Sequence, residues 1–368
     1  MNLLYKYPLI FSILIFAIIL TTNSYFNYEQ SLIYGGTDGI SYLEIARKAP
    51  FLSDTPLKPI HAERFLFPYL IGILSKISSI NLYDLFRILN ILIILIINFY
   101  LIKILKKYNF SNFYLIFALL LFNLNPYQTR FYVANPLIIT DLFFILGSIV
   151  SITGIDDRNK RNFFIGLIIS SLARQSAVAI IISVVVVKLF KKEKFFLSYK
   201  EIFISWILFI SIYLIGFIYS KLGFVNVSHT SIYIVHFFGL LLEDVTLKEK
   251  IIFFIWPLLS FGPLILFYVL FVNLNFKFIE NNFDTSIYII IYSLLIISQP
   301  IISGVEMSGR NIIRLSSFAF VPILLFSIIN FDFKKNSIIK NIFFILLIII
   351  WTCHPTFSKF NFLEVLKF

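Results

Sequence analysis

The chain has 368 residues, of which 59% are hydrophobic and 14% are charged. A soluble domain is about half apolar and about a quarter charged, so this composition excludes an ordinary soluble protein and predicts an all-α, polytopic transmembrane protein. The formal net charge of +12 comes mostly from lysines in short loops between apolar runs, which indicates orientation by the positive-inside rule and no nucleic-acid partner. The single cysteine, Cys353, excludes an intramolecular disulfide and a cysteine-based metal site.

The first apolar run, residues 8–22, carries no charge and follows Lys6. Because no small-x-small cleavage site follows it, we expect an uncleaved first span with its N-terminus in the cytoplasm. Residues 23–84 would then form an outer loop. Within this loop, residues 65–80 are apolar but too short for a span of about 20 residues, so we predict an interfacial helix there. This choice places the lysine cluster within residues 103–107 in the cytoplasm.

Further apolar runs alternate with short basic loops to the end of the chain. Together with the first span they predict about eleven crossings in a single membrane domain, residues 1–368, with a second outer segment at residues 221–250. The predicted crossings after the first are residues 85–102, 113–124, 137–153, 163–172, 177–187, 202–219, 251–272, 287–297, 312–329 and 342–351.

Residues 35–47 gather ionisable groups just after the first span. Asp38 lies there between glycines, which let a ligand approach the backbone closely. The residues that follow predict a short helix, so Asp38 is either a helix N-cap, worth about 1 kcal/mol, or a general base that takes a proton from an acceptor hydroxyl. The residues alone leave both interpretations open. Tyr42, Glu44 and His61 are candidate substrate contacts near it.

Asp141 lies near the outer end of a predicted span. A carboxylate at membrane depth costs about 2.5–3.5 kcal/mol on insertion scales, so it needs a partner or a polar cavity, which favours a functional role. If the span begins at Asp141, the same residue is an ordinary acid at a helix start.

Arginines on the outer side run against the positive-inside trend and need another explanation. Arg174 divides what would be one long apolar run, and Arg310 and Arg314 share one helical face at another outer position. With Arg64 they form a predicted outer set, because arginine suits bidentate phosphate binding. Snorkelling to lipid headgroups is the alternative, and it explains Arg130 as well as function does.

Histidines are the remaining candidate ligands. His229 and His236 are spaced so that a helix would place them on one face, and we predict His236 as a substrate contact. The residues allow a His and carboxylate metal site, but no HxH or HExxH spacing supports one, so we predict neither metal nor cofactor. No Walker loop, GxGxxG, GxSxG or CxxC motif is present, so nucleotide-driven transport and a cytosolic nucleotide-sugar site lack support.

Several of these features together resemble the GT-C membrane glycosyltransferases. They are a first span, an outer loop with the early Asp38, an interfacial segment Arg-x-x-x-Pro-x-Leu beginning at Arg64, and a second span starting near residues 85–87. Residues 125–143 resemble that fold's second outer loop and following span. The paired short helices around Arg174 resemble its split fifth and sixth spans. The similarity covers roughly the first half of the chain.

The resemblance implies a GT-C-like fold with outer-face interfacial helices and a polyprenyl-phosphate sugar as donor. It implies that Asp38 activates the acceptor and that Asp141 helps to orient acceptor or sugar. Arg174, with Arg310 or Arg314, would hold the donor phosphate. Inversion at the anomeric carbon is expected of most members. Many members also carry a soluble C-terminal domain, and its lack here favours a lipid-linked glycan or glycolipid over a protein as acceptor.

We therefore expect a multi-pass glycosyltransferase of the bacterial inner membrane with its active face in the periplasm. Its partners would be the donor, the acceptor and membrane lipids. One alternative is a polysaccharide polymerase or ligase that acts on diphosphate-linked glycans. The other is a lipid or sugar transporter, which would place polar residues at mid-bilayer in an inverted repeat. Here the polar groups gather at the outer ends of the predicted spans.

Overall fold

The computed structural model describes residues 36–53, 57, 59–108, 112–192, 195–223, 246–273, 282–303, 311–330, 332–333 and 338–352. Of the predicted first span, only scattered positions between 8 and 19 are described, and these are helical. His229, His236 and Arg310 lie outside the described residues.

Nearly all of the described chain is helical, and one short antiparallel ladder joins β1 (Val272–Asn273) to β2 (Asp332–Phe333). The helices are α1 (Gly36–Lys48), α2 (Pro59–Ala62), α3 (Leu66–Ser78), α4 (Leu82–Lys107), α5 (Asn112–Asn123), α6 (Thr129–Ala134), α7 (Ile139–Asp156), α8 (Lys160–Ala173), α9 (Val178–Lys191), α10 (Tyr199–Gly223), α11 (Leu247–Phe271), α12 (Phe283–Ile302), α13 (Asn311–Ser316), α14 (Phe320–Asn330) and α15 (Ile338–Thr352). Single 3₁₀ turns, Gln175–Ala177 and Ser317–Ala319, lead into α9 and α14.

Five of the described helices are long and apolar enough to cross a membrane, namely α4, α7, α10, α11 and α12. Shorter apolar helices, among them α3 and α15, lie at other predicted runs. This confirms the prediction of a helical protein and is consistent with an integral membrane protein. Helix α3 has 13 residues, or about 20 Å at 1.5 Å per residue, so it is short for a crossing. Its place in the interface stays a prediction.

Helix α7 forms the centre of the bundle, with 89% of its apolar window buried. Its partner α8 approaches closely because glycines line the contact. A Cβ added to Gly147 would lie 2.7 Å from the Gly166 carbonyl oxygen, and one added to Gly166 would lie 2.4 Å from the Ser151 nitrogen. Small residues allow such backbone contact between helices in lipid, where burial of apolar area supplies little driving force.

One end of the bundle carries a group that we call the lysine-side ion set, made of Lys107, Tyr108, Asp156 and Asp157. The Lys107 ammonium lies 2.6 Å from Asp156 Oδ2 and 2.7 Å from Asp157 Oδ1, and the Tyr108 hydroxyl donates to Asp156. These residues come from the C-terminal ends of α4 and α7, which the sequence predicts to be cytoplasmic. The structure thus brings two predicted cytoplasmic ends together.

Helices α1, α2 and α3 pack beside the opposite, N-terminal end of α7. Gly72 of α3 lies against α1 so closely that a Cβ there would be 2.0 Å from the Ala46 carbonyl oxygen. Gly39 of α1 faces the chain just before α7, where a Cβ would be 3.2 Å from Leu137 Cβ. These contacts hold the first turn of α1, and Asp38 within it, above the start of α7.

Candidate functional site

Asp38, His61 and Ser41 form a hydrogen-bonded row at the junction of α1 and α2. His61 Nε2 lies 2.9 Å from Asp38 Oδ1, and His61 Nδ1 lies 3.0 Å from Ser41 Oγ. An ionised carboxylate only accepts hydrogen bonds, so Nε2 must carry a hydrogen. In the neutral ring, Nδ1 then accepts from the Ser41 hydroxyl. Asp38 and Ser41 share one face of α1, because residues three apart in a helix are neighbours.

Arg314 joins this row to the start of α7. Its Nη2 donates to the second Asp38 oxygen, Oδ2, at 3.1 Å, and its Nη1 lies 3.5 Å from Asp141 Oδ2. The arginine lies in α13 and is buried. It bridges two carboxylates that come from distant parts of the chain. The fork of guanidinium N–H groups makes such a two-sided contact feasible, whereas a lysine would offer only a point charge.

Asp141 lies in the first turn of α7 and is fully buried. Its Oδ1 accepts a hydrogen bond from Arg174 Nη1, and the Tyr132 hydroxyl lies 3.4 Å from Oδ2. Because both Asp141 and Arg174 are buried, the pair is ion-paired away from water. The predicted partner for a carboxylate at membrane depth is therefore present, and it is Arg174 together with Arg314.

Arg64 extends the cluster toward the break between α8 and α9. Its Nε donates to Gln175 Oε1 at 3.0 Å, and Gln175 Nε2 donates to Glu63 Oε2 at 2.7 Å. Glu63 thus meets the cluster through Gln175. Helix α8 ends at Ala173, and the extended backbone of Arg174 (φ −155°, ψ 146°) places consecutive polar side chains in the gap.

Asp38 stays ionised in these surroundings. Burial alone would raise the pKa of the Asp38 carboxyl, but the hydrogen bond from His61 and the positive charges of Arg314 and Arg64 outweigh it and hold the pKa well below its usual value. Asp38 is therefore a carboxylate at neutral pH, and its basicity depends on whether Arg314 remains beside it.

The inner part of the cluster has two carboxylates and three arginines, and Glu63, which reaches Arg64 through Gln175, brings the carboxylates to three. Asp38 and Asp141 supply two negative charges, while Arg64, Arg174 and Arg314 supply three positive ones. The Nε–H groups of Arg174 and Arg314 are buried and make no hydrogen bond within the described part of the chain. A buried donor without an acceptor costs about 1–3 kcal/mol, so these groups favour an anionic ligand with several acceptor oxygens.

The structure brings together most of the predicted site residues. Asp38, Asp141, Arg64, Arg174, Arg314 and His61 form the cluster described above. Tyr42 is fully buried, with its ring centroid 5.9 Å from that of His61. Glu44 is only partly buried, and no hydrogen bond or ion pair joins it to the cluster among the described residues. The predicted sites at Arg310 and His236 lie outside the described residues.

Sequence reasoning missed Gln175, Tyr132 and Ser41. Gln175 carried a signal, because it directly follows Arg174 in a break of an apolar run. Arg130, by contrast, is buried and its Nη1 donates to the Thr352 carbonyl at 3.4 Å, so it ties α6 to α15. No group of three or more His, Cys, Asp or Glu that could hold a metal ion occurs among the described residues.

Comparison of the chain with protein-family models, with curated proteins and with solved structures finds no match. The site therefore has to be interpreted from its own geometry and chemistry.

Proposed function

We propose that this chain is a membrane glycosyltransferase that moves a sugar from a polyprenyl-phosphate donor to a lipid-linked glycan or glycolipid. The observation that carries the proposal is the meeting of the partly buried Asp38 and the buried Asp141 with three buried arginines, Arg64, Arg174 and Arg314. Two carboxylates suit hydroxyl activation and sugar orientation, and the three arginines suit a phosphate leaving group. The cluster occurs at the end of the bundle away from the lysine-side ion set. By the positive-inside rule we assign that end to the outer, periplasmic face of a bacterial inner membrane.

In the proposed reaction, the acceptor hydroxyl oxygen attacks the anomeric carbon of the donor sugar. The bond from that carbon to the phosphate oxygen breaks, and the polyprenyl phosphate leaves with the electron pair. The hydroxyl proton passes to Asp38. Attack from the side opposite the phosphate inverts the anomeric centre. Fixed cations in a low-dielectric site stabilise the charge that grows on the phosphate, which is where such electrostatic help has its largest effect.

In this mechanism, Arg314 links binding of the donor phosphate to the basicity of Asp38. It holds Asp38 and Asp141 at once in the unliganded site, and its Nε–H points to no protein acceptor among the described residues. A phosphate entering the cluster competes for the guanidinium. When the Arg314 guanidinium turns toward the phosphate, Asp38 loses a neighbouring positive charge. Its pKa then rises, and the carboxylate becomes a better base when donor is bound. Asp141 keeps Arg174 oriented through their direct pair.

The direct test uses purified protein in liposomes with a synthetic polyprenyl-phosphate sugar and a panel of lipid-linked glycans and glycolipids. Mass spectrometry of the lipid fraction detects a new glycosidic bond. We expect transfer by the wild type and a loss of about 10²–10⁴-fold in Asp38→Asn, the usual contribution of a general base. Asp157→Asn, in the lysine-side ion set, is the matched control and should retain turnover.

Three outcomes would overturn the proposal. Full turnover by Asp38→Asn would remove the assigned base. Transfer only from diphosphate-linked donors would indicate a polymerase or ligase, and substrate movement without a new glycosidic bond would indicate a transporter.

A further inference from the structure

Arg64 differs from the other two arginines of the cluster in its partners. Arg174 pairs with Asp141, and Arg314 pairs with both aspartates. Arg64 is 6% exposed, yet it makes no ion pair with a carboxylate in the described part of the chain. A buried cation without a counter-ion is costly, so its charge favours an anionic ligand. Arg64 is therefore the arginine that a phosphate can approach without displacing a carboxylate from it.

Neutral side chains lie against the Arg64 guanidinium instead. Its Nε donates to Gln175 Oε1 at 3.0 Å, and the Tyr42 phenol is another close neighbour. An amide oxygen accepts this hydrogen bond without cancelling the positive charge, and the bond restricts the plane of the guanidinium. The Nη groups are thereby held in one orientation, in which their N–H groups suit an anion with two acceptor oxygens.

The Gln175 amide also separates Arg64 from the carboxylate of the preceding residue, Glu63. Gln175 Nε2 donates to Glu63 Oε2 at 2.7 Å, while its Oε1 accepts from Arg64. These two bonds assign the nitrogen and oxygen ends of the amide, because a carboxylate only accepts and a guanidinium only donates. Glu63 therefore places a negative charge nearby but does not occupy the guanidinium.

The turn that carries Arg64 is held from a second side by α10. Gly216 of that helix lies so close that a Cβ there would be 2.4 Å from the Glu63 carbonyl oxygen. One residue after Arg64, the ring of Phe65 stacks on that of Tyr219, with centroids 3.8 Å apart. Packing against α10 thus fixes the backbone of the turn, and the amide described above fixes the direction of its charged side chains.

We propose that Gln175 is a positioning residue that aims Arg64 at the donor phosphate and keeps the Glu63 carboxylate from pairing with it. This inference rests on the proposed function, because it takes the phosphate monoester of the donor as the anion. A carboxylate at position 175 would accept the same hydrogen bond, but it would also pair with the arginine. The phosphate would then have to compete with that carboxylate for the guanidinium.

The test measures binding of a polyprenyl monophosphate, and of the polyprenol that lacks the phosphate, by native mass spectrometry of the full chain in detergent. The readout is the ratio of the two dissociation constants, because a folding defect weakens both alike. We expect the wild type to favour the phosphate. Gln175→Leu should reduce that preference by about tenfold, as expected when one charge-assisted hydrogen bond to the phosphate is lost.

A double substitution separates charge placement from packing. In Glu63→Gln with Gln175→Glu the hydrogen-bonded chain is conserved, because the new amide donates to the new carboxylate and that carboxylate still accepts from Arg64. Only the negative charge has moved, from position 63 to position 175. We expect this double variant to fold and to lose about tenfold of the preference for phosphate. Glu63→Gln alone should raise the preference by up to about threefold, because it removes a nearby negative charge.

Asp157→Asn, in the lysine-side ion set, is the matched control for loss of a carboxylate and should leave the ratio unchanged. A wild-type ratio in the double variant would overturn the proposal, as would an unchanged ratio in Gln175→Leu or equal binding of phosphate and polyprenol by the wild type. Size-exclusion profiles and far-UV circular dichroism establish that each variant is folded, and either variant at position 175 suffices for the comparison. The assay measures no sugar transfer, so the expected order of ratios in a chain that transfers no sugar would contradict the proposed function and support this inference.

Discussion

Helix α7 carries an aspartate near each end, and the two have different kinds of partner. Asp141 and Asp156 lie about 22 Å apart along the helix at 1.5 Å per residue. Their side chains are similarly buried, at 1% and 3% exposed. Asp141 pairs with arginines that are themselves buried, whereas the partner of Asp156 is Lys107, whose side chain is 42% exposed.

The two ends of α7 therefore differ in the desolvation cost of their ion pairs. At the lysine-side ion set, the Lys107 side chain is 42% exposed, so the desolvation penalty of the cation is small even though Asp156 is buried. At the site, Asp141 and both of its arginines are removed from water, and their mutual attraction must offset a desolvation cost of several kcal/mol per ion on general estimates. A buried arrangement of this kind, with unpaired donors still available, is more typical of a binding or catalytic site than of a structural clamp.

The largest expected effect on stability comes from replacing Arg314, which bridges Asp38 and Asp141. Arg314→Gln leaves Asp38 with His61 and Asp141 with Arg174, but it removes the charge that bridges the two carboxylates, and removal of one member of a buried ion pair costs up to about 3–5 kcal/mol. We expect the free energy of unfolding in mixed micelles to fall by that order. Arg314→Lys should restore only part of it, because an ammonium cannot hold two carboxylates in fork geometry. A change of less than about 1 kcal/mol would contradict the buried bridge.

A smaller effect concerns pH and the Asp38 row. The pKa of Asp38 is lowered in the folded protein, so its ionised form stabilises folding above the unfolded value of about 3.9. That contribution is lost as pH falls through the folded pKa. The Tm difference between wild type and Asp38→Asn should therefore shrink as the pH falls below about 4. A difference that grows on acidification would show that the pKa is raised instead.

The smallest effect is expected at the lysine-side ion set. In Lys107→Gln, Asp156 keeps the hydroxyls of Tyr108 and Thr285 as partners, so we expect a loss of about 0–1 kcal/mol. The part due to Lys107 should decrease further in 1 M salt, where exposed charges are screened within about 3 Å. The Arg314→Gln loss should change little over the same salt range. Equal salt sensitivity of the two variants would remove the distinction between the ends.

Much of the fold could be predicted because apolar runs and basic loops are local features. The predicted crossing at 202–219 falls inside α10, and the predicted break at Arg174 is the C-terminal boundary of α8. Site residues were also recognisable singly, since Asp141 and Arg174 are costly in an apolar setting. Gln175 and Tyr132 were missed because a polar or phenolic side chain carries no comparable penalty in the sequence, and its role depends on its neighbour in space.

By itself, the sequence determined the class of protein, the approximate bounds of its helices and the end of each helix that carries lysines. These features follow from the transfer free energies of the residues in each run, which do not depend on a partner elsewhere in the chain. Only the tertiary structure decided that Arg314 bridges Asp38 and Asp141. The physical reason is that ion pairs and hydrogen bonds act over a few ångströms, and the sequence does not state which distant residues packing will bring within that reach.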